Sequence, residues 1–384
     1  MNSRVSLLTG FLLLAVFCCS PALGQAPVVV GAVVSQTGLH AELADGYRKG
    51  LLLWQDEVNA GGGLLGRKVD LRILDDASTA SRNAPLYEQL IKEDRADLLI
   101  GPYGTAATLL AAATAERARR VLINGAGPGR AVHRRTPRFV FQTGIPYDAY
   151  GAALLALAQA EGLKRLFVLA HDNTASKEMA DGLRAAAVQE VEIYNSAILD
   201  FAPLVEKARA ANADAWIAFG STRDAADMVR AFRRLNYAPR LFFASGVADP
   251  KFVTLVGQDA EFSLTAIEYD AGSPTPGNDR FAKAFAAKWS AQPGPAAAEG
   301  YVAATVAAAA VRRAGSLDQE KLRAALGTLE VETILGRQKM NPAGGAQTAA
   351  RPALAQIRNG RPAVLPGGER PVPYPAWSER QVLK

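Results

Sequence analysis

Short polar side chains, glycines and an aromatic residue follow several predicted strands, in groups that suit the binding of a small ligand. These groups are Ser35, Gln36 and Thr37; Tyr103, Gly104 and Thr105; and Asn124, Gly125, Ala126 and Gly127. Thr105 stands where a helix is predicted to begin, so its hydroxyl and the free N–H groups of the first turn could hold an anion such as a carboxylate. The same hydroxyl could instead cap its own helix, because both roles use the same groups.

Patterns that would indicate catalysis, a metal ion or a nucleotide are incomplete. The three histidines share no metal-ligand spacing, and no G-x-S-x-G motif occurs. The glycines from Gly125 to Gly129 resemble a dinucleotide fingerprint, but Arg130 occupies the place of its last glycine. The adjacent Asp75 and Asp76 are typical of a strand end or a helix cap. We therefore expect no enzyme activity, no cofactor and no bound metal ion.

An alternation of apolar runs and amphipathic segments must position these loops. Val28–Val34 is a continuous apolar run, typical of a strand buried on both faces. Apolar residues from Leu43 to Val58 recur at spacings of three and four, which predicts a helix that ends at the glycines 61–63. Further strands are predicted at 69–74, 97–100 and 121–123, with helices between them. This order predicts an α/β fold with a parallel sheet, whose ligands bind beyond the carboxyl ends of the strands.

The same pattern restarts after residues 144–146 and continues to about residue 326. Its strands are predicted at 166–170, 191–198, 215–219, 241–244 and 263–269, with helical segments between them. The tail from about Pro352 is rich in Pro and Gly, so we expect it to form an irregular strap. Two doubly wound lobes of similar size fit this count of elements.

The first 24 residues differ in character from the rest of the chain. Arg4 precedes an apolar run that ends at Cys19, and residues 21–24 resemble a small-residue cleavage site. Together these features are typical of a secretory signal peptide, so we predict one at residues 1–24 and a periplasmic mature chain. A lipid anchor on Cys18 or Cys19 and an uncleaved membrane anchor are alternatives, although the run is shorter than the ~20 residues of a membrane span.

The charge of the chain favours a small ligand over a nucleic acid. The formal net charge is +6, and the basic residues are spread along the whole sequence. A nucleic-acid surface would require a concentrated basic patch, whereas a mild and dispersed positive charge is compatible with a small anion. We therefore expect a small-molecule ligand and no nucleic-acid partner.

One stretch resembles a known family specifically. Gly46, Gly50 and the run Asn59–Lys68 (NAGGGLLGRK) resemble the first-helix signature of type I periplasmic solute-binding proteins. These form the leucine/isoleucine/valine-binding family, which serves branched-chain-type ABC importers. The match continues in order through residues 75–76, 99–105 and 141–144, and then through Phe281, Tyr301 and Gly336. It covers essentially the whole chain after the predicted signal peptide.

The resemblance implies the type I periplasmic binding protein fold, an α/β arrangement of two doubly wound parallel-sheet lobes joined by a three-strand hinge. The N-terminal lobe would comprise residues 25–143 plus about 269–331, and the C-terminal lobe residues 144–268 plus about 332–384. A monomeric binding protein would close these lobes on its ligand. Its partner would be the membrane permease of an ABC transporter.

The resemblance also implies a binding site. In the family, a hydroxyl after the third strand and the backbone after the fourth strand hold the ligand carboxylate. These positions fall here on Thr105 and on Ala126 and Gly127. With the loops of the second lobe added, the predicted ligand-binding residues are Gln36, Tyr103, Gly104, Thr105, Ala126, Gly127, Asp172, Thr174, Ser176, Ser221, Ser245 and Glu268.

The chain departs from the amino-acid binders of the family where they recognise the ligand's amino group. Those proteins place there a Glu that pairs with the α-ammonium, and this sequence has Ser245. Because a buried ammonium without a carboxylate partner is unstable, we predict a carboxylate ligand without an α-amino group, either aromatic or branched aliphatic. Glu268 or Asp172 could substitute for the missing Glu, which would allow an amino acid or an amide. A ligand-presenting sensor protein and an exported α/β enzyme are the alternative functions.

Overall fold

The computed structural model describes residues 25–184, 191–195, 200–365 and 369–379. The predicted signal peptide, residues 1–24, lies outside these ranges, as do parts of a predicted helix and a predicted strand at 185–190 and 196–199. Within the described ranges, no helix combines the length and the apolar character that crossing a membrane requires.

Strands and helices alternate along the described chain. The first portion contains β1 (Val28–Val34), α1 (Ala41–Ala60), β2 (Val69–Asp75), α2 (Asn83–Lys92), β3 (Leu98–Ile100), α3 (Thr105–Ala118), β4 (Leu122–Asn124) and β5 (Val140–Gln142). The middle portion contains α4 (Asp148–Ala160), β6 (Leu166–His171), α5 (Thr174–Asp181), β7 (Val191–Tyr194), α6 (Ala202–Ala210), β8 (Ala215–Phe219), α7 (Thr222–Arg234), β9 (Leu241–Ala244), α8 (Lys251–Val256) and β10 (Leu264–Ile267). The last portion contains α9 (Asn278–Trp289), α10 (Pro295–Ala314), α11 (Gln319–Gly327), β11 (Glu330–Thr333), β12 (Gly336–Lys339), β13 (Ala353–Arg358) and β14 (Arg361–Val364).

These elements form two lobes, each built on its own sheet. The first lobe has a five-stranded sheet in the order β2-β1-β3-β4-β5, in which every pairing is parallel. The second lobe has a seven-stranded sheet in the order β14-β13-β10-β9-β8-β6-β7. In both sheets, the loops that follow the parallel strands lie at one edge, where ligands bind in folds of this class. The predicted α/β class with two lobes is confirmed.

The second sheet is mixed at one edge, because the predicted irregular strap is wrong over residues 353–364. Strand β13 pairs antiparallel with β10 and with β14. Strands β13 and β14 form a hairpin. Its two turn residues, Asn359 and Gly360, have φ of 54° and 72°. Asn-Gly with two positive φ angles is the preferred tight hairpin turn. The prediction relied on the Pro and Gly content of the whole tail and overlooked the Asn-Gly turn.

Two neighbouring helices of the first lobe approach each other very closely. A Cβ atom at Gly50 would lie 2.1 Å from the carbonyl oxygen of Ala297, and one at Gly300 would lie 2.3 Å from that of Tyr47. Helices α1 and α10 therefore pack backbone against backbone, and only glycine fits at these two positions. This packing fixes the position of Glu299, the residue before Gly300.

The core of the first lobe also includes residues from the end of the chain. Ile334, Leu335 and Met340 are buried in the same apolar cluster as β1 and α1, whereas the predicted boundary near residue 332 would give them to the second lobe. The second lobe buries Ala350 and Ile357 in its own clusters. We therefore propose that the last crossover between the lobes follows Met340.

Candidate functional site

The N-terminus of α3 in the first lobe has no side-chain cap. Its N-cap is Gly104, which has φ of 91° and donates its N–H to the carbonyl oxygen of Ala126 at 2.8 Å. Thr105 is the first helical residue rather than the cap, and its Oγ1 accepts from the N–H of Gly129 at 3.2 Å. The Thr105 side chain also forms a hydrogen bond with the side chain of Tyr147. The hydroxyl therefore does not cap its own helix, one of the two roles that the sequence left open.

The loop after β4 is held by its own side chain. Asn124 is fully buried, and its Oδ1 accepts from the N–H of Gly127 at 2.9 Å, while its Nδ2 donates to the Gly127 carbonyl oxygen at 2.8 Å. The N–H of Gly127, predicted to hold the ligand, is thus already bonded. Ala126 is buried beside it and contributes its carbonyl oxygen to Gly104.

Close packing explains the glycine pattern that resembles a nucleotide fingerprint. A Cβ atom at Gly125 would lie 2.7 Å from the hydroxyl of Tyr47, and one at Gly127 would lie 2.1 Å from Oγ1 of Thr108. At Gly129, a Cβ atom would lie 2.5 Å from the Thr105 side chain. The glycines let this loop lie directly against α1 and α3, which brings Gly129 to Thr105.

The acidic pair after β2 holds the neighbouring loop. The carboxylate of Asp75 accepts from the N–H of Gln36 at 2.8 Å and from the hydroxyl of Thr37 at 2.7 Å. Burial alone would raise the pKa of Asp75, but these hydrogen bonds outweigh it and lower that pKa. Asp76 accepts from the hydroxyl of Ser35 at 2.6 Å. The side chain of Gln36, a predicted ligand-binding residue, is exposed beside this loop.

Two helices of the second lobe, α5 and α7, are capped by side chains, whereas α4 has no side-chain cap. Oδ1 of Asn173 accepts from the N–H of Ser176 at 2.9 Å and caps α5, whose first residue, Thr174, is exposed. Ser221 and Asp224 form a complete capping box at α7, with distances of 3.2 Å and 2.8 Å. The Ser221 hydroxyl therefore satisfies a backbone N–H of its own helix.

Two other predicted residues of the second lobe are also engaged. The side chain of Asp172 is 55% exposed and pairs with Lys177 at 2.7 Å. The hydroxyl of Ser245 donates to the carbonyl oxygen of Gly220 at 3.0 Å and accepts from the Gly220 N–H at 3.0 Å. Ser245 thus joins the loops after β8 and β9, and Asp172 lies at the solvent-exposed surface.

Glu268 occupies a different environment. It follows β10 in the second lobe, accepts a hydrogen bond from the hydroxyl of Tyr150, and is hydrogen-bonded to the carboxyl group of Glu299. Glu299 lies on α10 of the first lobe and is 8% exposed. Burial raises the pKa of both carboxyl groups, and the negative charge of Glu268 raises that of Glu299 further.

Tyrosine side chains surround this pair. Burial raises the pKa of Tyr103, Tyr147 and Tyr150, and the nearby carboxyl groups of Glu268 and Glu299 raise it further. Tyr103 packs edge-on against Tyr47, with 6.5 Å between the ring centroids. These tyrosines lie near the two glutamates, and they stay neutral near pH 7.

A third contact joins the lobes at Arg130. Its N–H donates to Oε2 of the buried Glu178 at 2.9 Å, and its guanidinium pairs with Asp181, both on α5. The lobes therefore meet at Thr105 with Tyr147, at Arg130 with α5, and at Glu268 with Glu299.

The sequence reasoning did not select Glu299, Tyr147, Tyr150 or Arg130. One signal for Glu299 was present: it is the only acidic residue of the Ala-rich helix α10. A lone carboxyl group within such an apolar segment indicates a buried partner. For Arg130, the sequence gave no signal of a contact between the lobes; it showed only that Arg130 interrupts a dinucleotide-binding motif.

The order of the elements and the whole-chain arrangement match a known family. A family model described as periplasmic binding protein matches residues 27–362. The chain belongs to the periplasmic binding protein family. This membership confirms the family predicted from the Asn59–Lys68 signature, and the members of this family are solute-binding proteins.

Relatives of this periplasmic binding protein carry several ligand names. An amino acid binding protein of Pseudomonas aeruginosa is 26% identical over 83% of this chain and 87% of its own. A leucine binding protein structure from Thermotoga maritima has a TM-score of 0.71 at 22% identity, covering 88% and 97% of the two chains. A solute binding protein structure from R. palustris in complex with benzoate has a TM-score of 0.70 at 20% identity, covering 91% and 98%. These structural matches establish the shared fold.

Proposed function

We propose that this protein is the extracytoplasmic solute-binding component of an ABC importer and that its lobes close on a small ligand bearing a carboxylate. The observation that carries this proposal is the uncapped N-terminus of α3, where Thr105 reaches Tyr147 of the opposite lobe. Unsatisfied N–H groups and the positive end of the helix dipole favour a carboxylate at such a position. An occupant there would contact both lobes and would stabilise the closed arrangement.

The proposed contacts of the ligand are chosen by their place near the positions where the two lobes meet. We propose that Thr105, the first turn of α3 and Tyr103 bind it from the first lobe, and that Tyr147, Tyr150 and Glu268 bind it from the second. The other predicted residues support the loops around these contacts, because they are engaged within their own lobe or are exposed to solvent. They are Gln36, Gly104, Ala126, Gly127, Asp172, Thr174, Ser176, Ser221 and Ser245.

Two classes of ligand are compatible with this site. They differ in whether the ligand carries an amino group. The first is a carboxylate without an α-amino group. It is supported by Ser245, whose hydroxyl is bonded to Gly220 where amino-acid binders place a Glu. The second is an amino acid or an amide, supported by Glu268, a carboxyl group at the cleft that could pair with an ammonium. Asp172 is not available to pair with an ammonium at the cleft, because it pairs with Lys177 at the surface.

The two classes differ in the protons that binding releases. Burial raises the pKa of Glu268, and an ammonium group beside it would favour the ionised form, so binding would release up to one proton and would tighten as the pH rises through the raised pKa. A ligand without an amino group would leave that proton in place. Leucine and 4-methylpentanoate are a matched pair of probes, and benzoate supplies an aromatic carboxylate.

The test begins with a thermal-shift screen of small carboxylates, amino acids and amides. Calorimetry of each hit in two buffers of different ionisation enthalpy then counts the protons. We expect stabilisation by at least one carboxylate. A screen in which no carboxylate, amino acid or amide stabilises the protein would overturn the proposed function.

The cellular role of the protein, in export and in transport, is tested separately from ligand binding. We propose that residues 1–24 direct export, that the mature monomer is periplasmic, and that it delivers its ligand to an ABC permease. N-terminal sequencing of the exported protein should begin at Gln25. Deletion of the gene should abolish high-affinity uptake of the hit compound, and the purified protein should return that compound unchanged.

A further inference from the structure

One flank of the first lobe concentrates positive charge. From Arg117 to Tyr147 the chain contains seven arginines, no lysine and no aspartate or glutamate. The segment 340–350, which packs against this stretch, contains no charged residue. The packing is close, because a Cβ atom at Gly344 would lie 3.3 Å from Cα of Thr136. Neither segment therefore supplies a negative charge to balance these arginines.

The arginines of this stretch differ in whether they have a partner. Three of them pair with acids of other segments: Arg117 with Glu88, Arg119 with Glu320 and Arg130 with Asp181. Arg120 is half-buried. Arg134, Arg135 and Arg138 are exposed and form no ion pair within the part of the chain that the structure describes. These three belong to residues 133–138, which we call the arginine turn.

The arginine turn is anchored on the protein at both ends. Nδ1 of His133 donates to the carbonyl oxygen of Gly344 at 2.6 Å. The N–H of Thr136 donates to the carbonyl oxygen of His133 at 3.0 Å, and the φ of 46° at Thr136 reverses the chain there. Val132 and Phe139, on either side of the turn, are buried. The backbone of the turn is thus fixed while its arginine side chains remain in solvent.

The ring of Phe139 brings a further cation to the same place. The guanidinium of Arg138 lies 5.9 Å from the centre of this ring, and that of Arg119, which follows α3, lies 5.8 Å from it. Both distances are those of a cation–π contact. The basic surface therefore extends from the arginine turn to the end of α3.

The chemistry of this surface favours phosphate groups over a protein partner. The planar guanidinium matches two oxygens of a phosphate at once, and every basic residue of the stretch is an arginine. A stable protein interface requires an apolar centre. None of the large, exposed apolar side chains among the described residues lies within 117–147 or 340–350. The surface offers charge alone, which is what a layer of anionic head groups requires.

We propose that the arginine turn binds the phosphate head groups of anionic phospholipids and holds the protein at a membrane surface. This goes beyond the proposed function, because the arginine turn lies outside the residues assigned to the ligand. Each arginine near an anionic lipid surface strengthens partitioning about fivefold, so the three together contribute about a hundredfold. The binding should weaken as salt is added, because exposed charges are screened over about 10 Å at 0.1 M ionic strength.

The experiment measures co-sedimentation of the purified exported protein with lipid vesicles, without ligand and at low salt. One set of vesicles is phosphatidylcholine, and the other is the same lipid mixed with phosphatidylglycerol. We expect binding to the second set only. A double variant, Arg134→Gln with Arg135→Gln, should lower the partition coefficient about 25-fold, since it removes two of the three exposed charges.

The second lobe supplies a control that is matched in charge. Lys251 and Arg361 are exposed, and neither forms an ion pair with any of the described residues. A variant with Lys251→Gln and Arg361→Gln loses the same two charges from the whole protein. It should bind within about twofold of the wild-type protein, because its arginine turn is intact. Circular dichroism checks that both variants are folded, and Arg134→Gln alone replaces the double variant if that protein does not fold.

Each outcome decides the proposal. Equal binding to the two sets of vesicles, or an equal loss in the control variant, would overturn it. Beads that carry poly-glutamate test the other class of partner: a protein that binds them through the arginine turn but does not bind the anionic vesicles would have an acidic protein as its partner, which would also overturn the proposal. Because no ligand is present, a negative result leaves the proposed function intact, and a failed ligand screen leaves the lipid surface intact.

Discussion

The first wall of the cleft is the side formed by the first lobe, and the second wall is the side formed by the second lobe. Both are built from the same strand–loop–helix unit, but they differ in how the backbone N–H groups at their helix N-termini are satisfied. In the first lobe, α3 begins at Gly104, which has no side chain, and the adjacent loop approaches through glycines. In the second lobe, Asn173 caps α5 and Ser221 caps α7 with its own side chain. Uncapped N–H groups remain available to a ligand, whereas capped ones stabilise the protein itself.

Equivalent positions in a repeated architecture therefore need not share a function. The first wall exposes backbone groups at a close approach and suits an anion. The second wall contributes side chains to the cleft, chiefly Tyr147, Tyr150 and Glu268. Both walls are needed, because the hydroxyl of Thr105 and the carboxyl of Glu299 each contact a residue of the opposite lobe.

The largest effect is expected where the first wall depends on close packing. Gly300→Val would place a branched side chain 2.3 Å from the carbonyl oxygen of Tyr47, so α10 must move away from α1. We expect the free energy of unfolding to fall by about 3 kcal/mol. Urea denaturation measures this change. Gly61→Val is the control: its nearest atom would be 3.4 Å away, and its cost should be less than about 1 kcal/mol. Equal losses at both sites would contradict the packing argument.

A smaller effect is expected for the uncapped helix itself. Thr105→Ala removes a hydroxyl that we assign to the ligand, and a hydrogen bond to a charged group is worth about 1.5–3 kcal/mol. We expect the affinity for the carboxylate found in the screen to fall at least about tenfold, as measured by calorimetry. Thr105→Ser should restore most of it. Full affinity in the Ala variant would show that the first wall binds its ligand elsewhere.

The smallest effect is expected in the second wall and on a different quantity. Ser221→Ala removes the capping box of α7 and should lower the free energy of unfolding by about 1 kcal/mol. Ligand affinity should stay unchanged, because the hydroxyl is used within the helix. Ser221→Thr keeps a capping oxygen and should recover the lost stability. A loss of affinity in the Ala variant with normal stability would reverse the contrast between the walls.

Local patterns in the sequence were sufficient for most of the elements. The apolar run of β1 and the spacing within α1 predict a strand and a helix that the structure has at 28–34 and 41–60. The hairpin of β13 and β14 was missed although its Asn359–Gly360 turn is a local signal. The hairpin of β11 and β12 has only four residues per strand, which is too short to show the alternation of apolar and polar residues that predicts a strand.

The cleft was less predictable, because hydrogen-bond partners are distributed by the tertiary fold. Thr105 and Gly129 are 24 residues apart, and Ser245 lies 25 residues from Gly220. Nothing in the sequence around Ser221 distinguishes a hydroxyl that binds a ligand from one that caps a helix, since both need the same atoms.

The alternating α/β architecture and the two lobes could be predicted from the sequence alone, because they depend on side-chain periodicity along short segments. The tertiary structure was needed to show which polar groups of the cleft bond within their own lobe and which meet the opposite lobe. It placed Glu299, buried on α10, and Glu268, at the end of β10, near the same tyrosines. Burial and hydrogen-bond satisfaction depend on neighbours in space, and local sequence does not specify these neighbours.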